Sequence, residues 1–116
     1  MAKSPQMKLR AQADELAGDK CRARGYCQAR GLDSTVCKGA LQWAHIVERS
    51  EHAIRWSPLN CLCLCQAHHL RYTYRPFRWT LFIMNNFPEQ WQYVRAHIDD
   101  GFDGDYGMLI KKLEME

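Results

Sequence analysis

The sequence predicts a single α+β domain that is mostly helical and contains one short β-hairpin. With 116 residues and 47% hydrophobic residues, the chain is long enough for one hydrophobic core. Apolar residues recur at helical spacing near both ends, whereas strict alternation is confined to the middle. The chain also contains six cysteines, a high count for this length. We therefore expect one domain over residues 1–116, with cysteine chemistry near its centre.

Composition excludes several classes of protein. Four Trp, five Tyr and four Phe with a net charge of only +3 are not typical of a disordered chain. The longest apolar run, Trp79 to Met84, is six residues, whereas a membrane-spanning helix needs roughly 20. The amino terminus is polar and lacks the apolar stretch that a secretory signal contains. We expect a soluble, cytoplasmic protein with no membrane partner.

Charge is distributed unevenly along the chain. Residues 1–80 contain 13 Lys and Arg against 6 Asp and Glu, whereas residues 81–116 contain 3 against 7. A basic amino-terminal part is typical of a protein that meets a polyanion on one side. Ordinary surface charge explains the same pattern equally well.

The secondary-structure signals begin with a helix over residues 5–24, because Ser4-Pro5 is typical of a helix start and Gly25 of a helix stop. Turn-forming residues and no periodicity predict an irregular loop over residues 26–39. Alternation predicts a strand in ALQWAHIV, residues 40–47, and a second extended stretch near residues 53–56. Four further helices are expected, one around Cys65 to Tyr72 and others that begin at Pro76, Pro88 and Tyr106.

Four residues that bracket the hairpin are candidate zinc ligands. Cys27 and Cys37 lie in the irregular loop, and Cys65 and His68 form a Cys-x-x-His at a helix start. Zinc prefers four such ligands in a tetrahedron. Without an export signal, cysteines are more often metal ligands or buried thiols than disulfides. We therefore predict a structural Zn²⁺ held by these four residues.

The remaining cysteines leave alternatives open. Nine residues lie between Cys27 and Cys37, and Cys21 competes as a partner of Cys27 at Cys-x5-Cys. We keep Cys21 in reserve as a ligand, and otherwise expect a thiol on a helix face. Cys61 and Cys63 alternate with leucines in an extended stretch, which favours small buried side chains over ligands.

The string LQWAHIVERSEHAIRWSPLNCLCLCQAHH resembles the HNH endonucleases, and most closely the small phage-type enzymes. His45, Asn60 and His69 stand in the order and approximate spacing of the family's three signature residues. The resemblance covers about residues 26–79, and two candidate zinc pairs bracket the motif. It implies a ββα-metal core over residues 26–75, clamped by structural zinc, between the first helix and a helical part over residues 76–116.

The resemblance also implies catalytic roles. His45 is the expected general base, Asn60 braces the loop and orients the His45 ring, and His69 binds a catalytic Mg²⁺, Mn²⁺ or Ni²⁺. Such an arrangement suits phosphodiester hydrolysis, which needs a base near neutral pKa and a cation beside the phosphate. Many family members have His or Asp directly before the base, but here that position is Ala44. A second protein ligand would have to come from elsewhere, for example Glu48 or His52.

Arginines are the expected contacts to DNA. Arg49, Arg55 and Arg71 suit phosphate oxygens because guanidinium groups bind them in bidentate geometry. Phosphate contacts imply weak sequence specificity and a strong dependence of affinity on salt. The resemblance to phage enzymes implies a bacterial host cell and a terminase subunit as partner.

Each site assignment has a simpler alternative. His45 alone fits a buried core histidine, Asn60 fits a helix cap, and aromatic residues at helical spacing fit a core better than base stacking. The main functional alternative is a zinc-stabilised DNA-binding module that does not cleave. An interaction protein with zinc as scaffold would leave His45 and Asn60 without a role. Nicking versus double-strand cutting and the oligomeric state stay open.

Overall fold

The computed structural model describes residues 4–116. The chain begins with helix α1, Pro5–Arg22, whose first turn is capped by the Ser4 hydroxyl accepting from the Met7 N–H at 3.2 Å. Gly18 is buried within this helix, and a Cβ there would lie 3.2 Å from the Trp43 ring. The glycine that weakens the helix therefore allows the hairpin to pack closely against it.

An irregular segment joins α1 to the hairpin, as predicted for residues 26–39. It returns to the start of helix α2, Gln66–Thr73, through a hydrogen bond from the Ala67 N–H to the Lys38 carbonyl at 3.0 Å. Gly39 makes this approach possible, because its φ is +86° and a Cβ would lie 2.6 Å from the Gln66 side chain. The segment is thus anchored beside α2 at its carboxyl end.

The hairpin consists of strands β1, Leu41–His45, and β2, Cys61–Cys65, which pair antiparallel. In this register Trp43 faces Cys63, and His45 faces Cys61. The prediction of an extended stretch at residues 53–56 is wrong: these residues form turns, and the second strand lies in CLCLC. Both faces of that strand are buried, so its sequence lacks the polar alternation of a half-exposed strand.

Four helices follow the hairpin, in agreement with the predicted positions. They are α2, Gln66–Thr73; α3, Pro76–Asn86; α4, Pro88–His97; and α5, Tyr106–Met115. Proline at the first position of α3 and α4 fits because its missing N–H would have no helical partner there. The structure is therefore α+β and mostly helical, with a two-stranded antiparallel sheet.

Two apolar clusters cover the two faces of the hairpin. One packs Leu62 and Leu64 against α2, α3 and α4, and the other packs Trp43 against α1 and α5. The aromatic residues at helical spacing that are expected in the core are Tyr72, Tyr74, Phe77, Trp79, Phe82 and Trp91, and four of these six belong to the first cluster. The exceptions are Tyr74 and Phe77, with exposed fractions of 84% and 73%. Their helical spacing is compatible with a core position, but they lie at the α2–α3 junction and face outward.

Of the helices formed by residues 4–116, none combines the length and the apolar character needed to cross a lipid bilayer.

Candidate metal centre and adjoining cleft

The four predicted zinc ligands come together at the carboxyl end of β2. Cys27 and Cys37 reach this point from the irregular segment, Cys65 is the last residue of β2, and His68 lies in the first turn of α2. Their ligand atoms all lie within 4.8 Å of one another. They are therefore close enough to hold a metal ion.

The spacing of the donor atoms agrees with tetrahedral zinc. The His68 Nδ1 lies 3.5 Å from the Cys27 Sγ, 3.6 Å from the Cys37 Sγ and 3.2 Å from the Cys65 Sγ. Tetrahedral bonds of the usual zinc lengths imply a nitrogen–sulfur separation of about 3.6 Å. Three thiols and one imidazole are also a ligand set that zinc prefers.

Asp33 supports this centre from outside, and sequence reasoning missed it. Its Oδ1 accepts from the His68 Nε2 at 3.0 Å, which leaves Nδ1 free to face the thiols. It also accepts from the Tyr72 hydroxyl at 2.8 Å and the Thr35 N–H at 2.8 Å. Burial favours a higher pKa for Asp33, but these hydrogen bonds hold its pKa below the ordinary value. The Asp-Ser-Thr turn was the available signal in the sequence.

Hydrogen bonds also favour the thiolate form of Cys65, which is the form that binds a metal. Burial raises its pKa, but donors that include the backbone N–H groups of His68 and Lys38 outweigh this effect and lower the pKa to about 6. The His68 N–H lies 3.5 Å from the sulfur. The thiolate form that a metal requires is therefore favoured at the end of β2.

The other three cysteines lie apart from this centre. Cys21 packs in the second apolar cluster with Cys61 and Cys63, and all three are buried. The alternative prediction of Cys21 as a zinc ligand is thus wrong, because α1 places Cys21 against the opposite face of the hairpin. The expectation that Cys61 and Cys63 are buried thiols is confirmed.

His45 and His69 line the same cleft beside the metal centre. The cleft has a volume of about 700 Å³ and is bounded by β1, the residues that follow it, α2 and α3. Glu48 and Arg49 contribute exposed charged side chains to its wall. Two of the three residues on which the family resemblance depends, His45 and His69, therefore line one cavity large enough for part of a nucleotide.

The His45 ring is fixed by the backbone and by an aromatic neighbour. Its Nε2 lies 2.9 Å from the Arg55 carbonyl, so Nε2 carries the proton and donates it. The Trp43 ring lies 4.2 Å away between centroids. Burial lowers the His45 pKa to about 4, and the positive charges of Arg49 and Arg55 contribute. The imidazole is therefore neutral at pH 7, with Nδ1 available as a proton acceptor, but its pKa lies below the near-neutral value expected of the general base.

Asn60 braces the loop but does not contact the His45 ring. It is fully buried, its Oδ1 accepts from the Val47 N–H at 2.8 Å, and its Nδ2 donates to the Val47 carbonyl at 3.1 Å. These bonds tie the chain after β1 to the start of β2. The expected orientation of His45 is instead supplied by the Arg55 carbonyl.

His69 is held by Gln42, a residue that sequence reasoning did not single out. The His69 Nδ1 lies 2.7 Å from the Gln42 Oε1, so Nδ1 donates and Nε2 is left as a possible ligand atom. Burial lowers the His69 pKa, and Arg49 lowers it further. In the sequence, Gln42 is an ordinary outward-facing residue of a strand. Its hydrogen bond to His69 depends on how β1 packs beside α2.

The three arginines predicted to bind DNA have different surroundings. Arg49 is exposed and lines the cleft, with its guanidinium 5.5 Å from the Trp43 ring centroid. Arg55 is only 5% exposed and pairs with both carboxylate oxygens of Asp14, at 3.0 and 2.8 Å. Arg71 donates to Thr35 at 3.0 Å and lies 3.6 Å from Asp33. Arg55 and Arg71 are thus engaged in structural contacts, which does not support them as phosphate ligands.

In comparisons with known proteins, no family model matched the chain, and neither did any curated protein or solved structure.

Proposed function

We propose that this chain is a metal-dependent DNA endonuclease of the HNH type, with a ββα-metal core formed by β1, β2 and α2. The observation that carries the proposal is the common cleft of His45 and His69 beside the Cys₃His centre. A histidine that only stabilises the core is expected to have both ring nitrogens hydrogen-bonded and to lie away from a cleft. One imidazole can act as the general base and the other can hold a cation, which are the two functions that metal-assisted phosphodiester hydrolysis uses.

His45 acts in this proposal as the general base. Its neutral Nδ1 takes the proton from a water molecule as the water oxygen attacks the phosphorus. The Arg55 carbonyl holds the tautomer, since it accepts from Nε2 at 2.9 Å. Asn60 acts indirectly, because its two bonds to Val47 fix the backbone that follows His45.

His69 holds the catalytic cation through Nε2, and Gln42 fixes the ring by accepting from Nδ1. Mg²⁺, Mn²⁺ or Ni²⁺, when bound, offsets charge on the phosphate and on the departing oxygen. Ala44 provides no ligand, so a second one has to come from the cleft wall. Glu48 lines the cleft, whereas His52 lies in a different cavity, so Glu48 is the better candidate.

Arg49 is the residue best placed to contact a phosphate of bound DNA, since its side chain is exposed at the cleft. Binding through backbone phosphates implies weak sequence specificity and affinity that falls with salt. Action in the cytoplasm of a bacterial host, with a phage terminase as partner, belongs to the same proposal through the family resemblance.

A nicking assay on supercoiled plasmid tests the proposal. We expect cleavage with Mg²⁺, Mn²⁺ or Ni²⁺ and a loss of at least about 100-fold in His45→Ala, the usual effect of removing a general base. His97→Ala is the matched control, because the His97 side chain, at the end of α4, is 45% exposed, pairs with Asp100 and does not line the cleft. Relaxed circles indicate nicking, and linear product indicates double-strand cutting.

The alternative is a zinc-stabilised DNA-binding module that does not cleave, which Ala44 favours by removing one cation ligand. Binding of DNA with no cleavage under any of the three cations would support this alternative. Equal cleavage by wild type and His45→Ala would reject the assigned mechanism.

A further inference from the structure

A second group of thiols lies on the face of the hairpin that packs against α1. Cys21 of α1 and Cys61 of β2 line a cavity of about 390 Å³. Pro58 and Glu116, which also line the cavity, are exposed, whereas Cys21 and Cys61 are each only 2% exposed, so peroxide has to enter this cavity to reach the sulfurs. The zinc centre and the cleft do not use this cavity.

Positive charge lies beside the Cys61 sulfur, which is also 3.5 Å from the Pro58 carbonyl oxygen. The Arg24 Nη2 lies 3.6 Å from it and donates to the Pro58 carbonyl at 2.8 Å, while Nη1 donates to the Cys61 carbonyl at 3.1 Å. These bonds fix the guanidinium beside the sulfur. A cation held in this way stabilises a thiolate.

Two further groups favour the same ionisation. The Cys21 thiol hydrogen-bonds to Cys61, which is the largest cause of a Cys61 pKa lowered to about 7, and burial opposes it. The indole N–H of Trp43 is buried without a well-formed hydrogen bond within residues 4–116, and it also lies near the Cys61 sulfur. Because Cys21 keeps its proton and donates it in this hydrogen bond, Cys61 is the nucleophile and Cys21 is the neighbouring thiol.

We propose that Cys21 and Cys61 form an oxidisable dithiol, which hydrogen peroxide converts to a disulfide between α1 and β2. The inference does not depend on the nuclease proposal. A second metal site is a poorer explanation, because in the described part of the chain only the Cys₃His group brings three or more ligand atoms together.

The reaction balances in two steps. The Cys61 thiolate attacks one peroxide oxygen, the O–O bond breaks, and Cys61 sulfenic acid forms with release of hydroxide, which takes up a proton to become water. The Cys21 thiol loses its proton and attacks the sulfenic sulfur, the S–O bond breaks, and the second oxygen leaves as water. Two thiols are oxidised by two electrons, and one peroxide is reduced to two waters.

Peroxide treatment of the zinc-loaded protein, followed by alkylation after denaturation and peptide mass mapping, tests the proposal. We expect the loss of two alkylatable thiols, a linked peptide pair with Cys21 and Cys61, unchanged bound zinc, and reversal by dithiothreitol. Cys63→Ser is the matched control, since Cys63 is buried on the same strand and does not line the cavity; it should form the same disulfide.

Two variants make the outcome decisive. Cys21→Ser should leave a sulfenic acid at Cys61 that dimedone traps. Arg24→Gln, if its thermal melt shows a folded protein, should slow oxidation about three- to tenfold through a smaller thiolate fraction. Free Cys21 and Cys61 after peroxide treatment, or disulfides confined to Cys27, Cys37 and Cys65 with zinc release, would overturn the proposal.

Discussion

His68 and His69 are neighbours in α2, yet they have opposite roles in the structure. His68 is fully buried, its Nδ1 faces three thiols, and its Nε2 donates to Asp33. His69 is only partly buried and has one nitrogen bonded to Gln42, with the other available in the cleft. His68 therefore has both nitrogens engaged, whereas His69 has one nitrogen that no hydrogen bond within residues 4–116 engages.

The difference arises from the helix geometry and from what packs on each side. Consecutive residues of a helix point about 100° apart, so His68 and His69 cannot face the same neighbour. The irregular segment that carries Cys27, Cys37 and Asp33 covers the His68 side, and β1 with Gln42 covers the His69 side. The Cys₃His group therefore includes a residue of the same helix turn that presents His69 to the cleft.

Removal of a metal ligand is expected to have the largest effect on the contrast between His68 and His69. Cys65→Ala takes away the residue that ends β2 and caps α2. Structural zinc contributes roughly 10 to 16 kcal/mol in small zinc peptides, more than the roughly 5 to 15 kcal/mol that stabilises a typical domain. We expect loss of bound zinc together with unfolding of at least the cleft, measured by metal analysis and circular dichroism.

Cys63→Ala is the control for that variant, because Cys63 is equally buried in β2 but lies outside the centre. It should keep its zinc and lose only about 1 kcal/mol, as expected for a small cavity. Full zinc content in Cys65→Ala would contradict the ligand assignment.

A smaller effect is expected from the residue behind His68. Asp33→Asn keeps the size of the side chain but weakens the acceptor of the His68 Nε2 proton. Partners of metal-bound histidines typically contribute 10- to 100-fold in affinity, so we expect a loss in this range in a zinc competition assay. Asp100→Asn, which changes an exposed His–Asp pair with no metal, should have no effect on zinc.

The same contrast explains how far the sequence could predict the molecule. Helix starts at Pro5, Pro76 and Pro88 follow from local chemistry, and the four zinc ligands follow from residue type and spacing. The residues that orient the two histidines could not be predicted in this way, because Asp33 and Gln42 lie 35 and 27 residues along the chain from the histidines that they contact.

Burial limited the interpretation of two further features. The sequence marks CLCLC as extended, but because strand β2 is buried on both faces it has no polar alternation that would identify it as the partner of β1. Arg55 has the charge of a phosphate ligand, but its pairing with Asp14 of α1 depends on tertiary packing across 41 residues. Local signals cannot distinguish an exposed arginine from one that is buried and paired.

A pH titration of stability tests the assigned state of His45. Its pKa is about 4 in the folded protein against an ordinary value of 6.5, so the unfolded chain binds the proton more tightly between these values. Stability should therefore fall as the pH is lowered through this window, by about 2 kcal/mol after solvent screening. Urea unfolding of wild type and His45→Gln, with bound zinc monitored, should show a steeper loss for wild type. Parallel curves would contradict a buried neutral His45.

The smallest expected effect concerns Gln42, which distinguishes His69 from an ordinary half-buried histidine. Gln42→Leu removes the acceptor of the His69 Nδ1 proton at 2.7 Å and leaves the ring without a fixed orientation. We expect Mn²⁺ binding at the cleft, followed by electron paramagnetic resonance on the zinc-loaded protein, to weaken about fivefold to tenfold, the lower end for such supports.

Gln42→Glu retains an acceptor at the same position and should bind Mn²⁺ at least as tightly as wild type, whereas His69→Ala should lose the site. All three variants should keep their zinc, because Gln42 and His69 lie outside the Cys₃His group. If Gln42→Leu binds Mn²⁺ like wild type while His69→Ala does not, His69 holds the cation without help from β1. If His69→Ala also binds normally, the cation site lies elsewhere, and the contrast between the two neighbouring histidines is only one of burial.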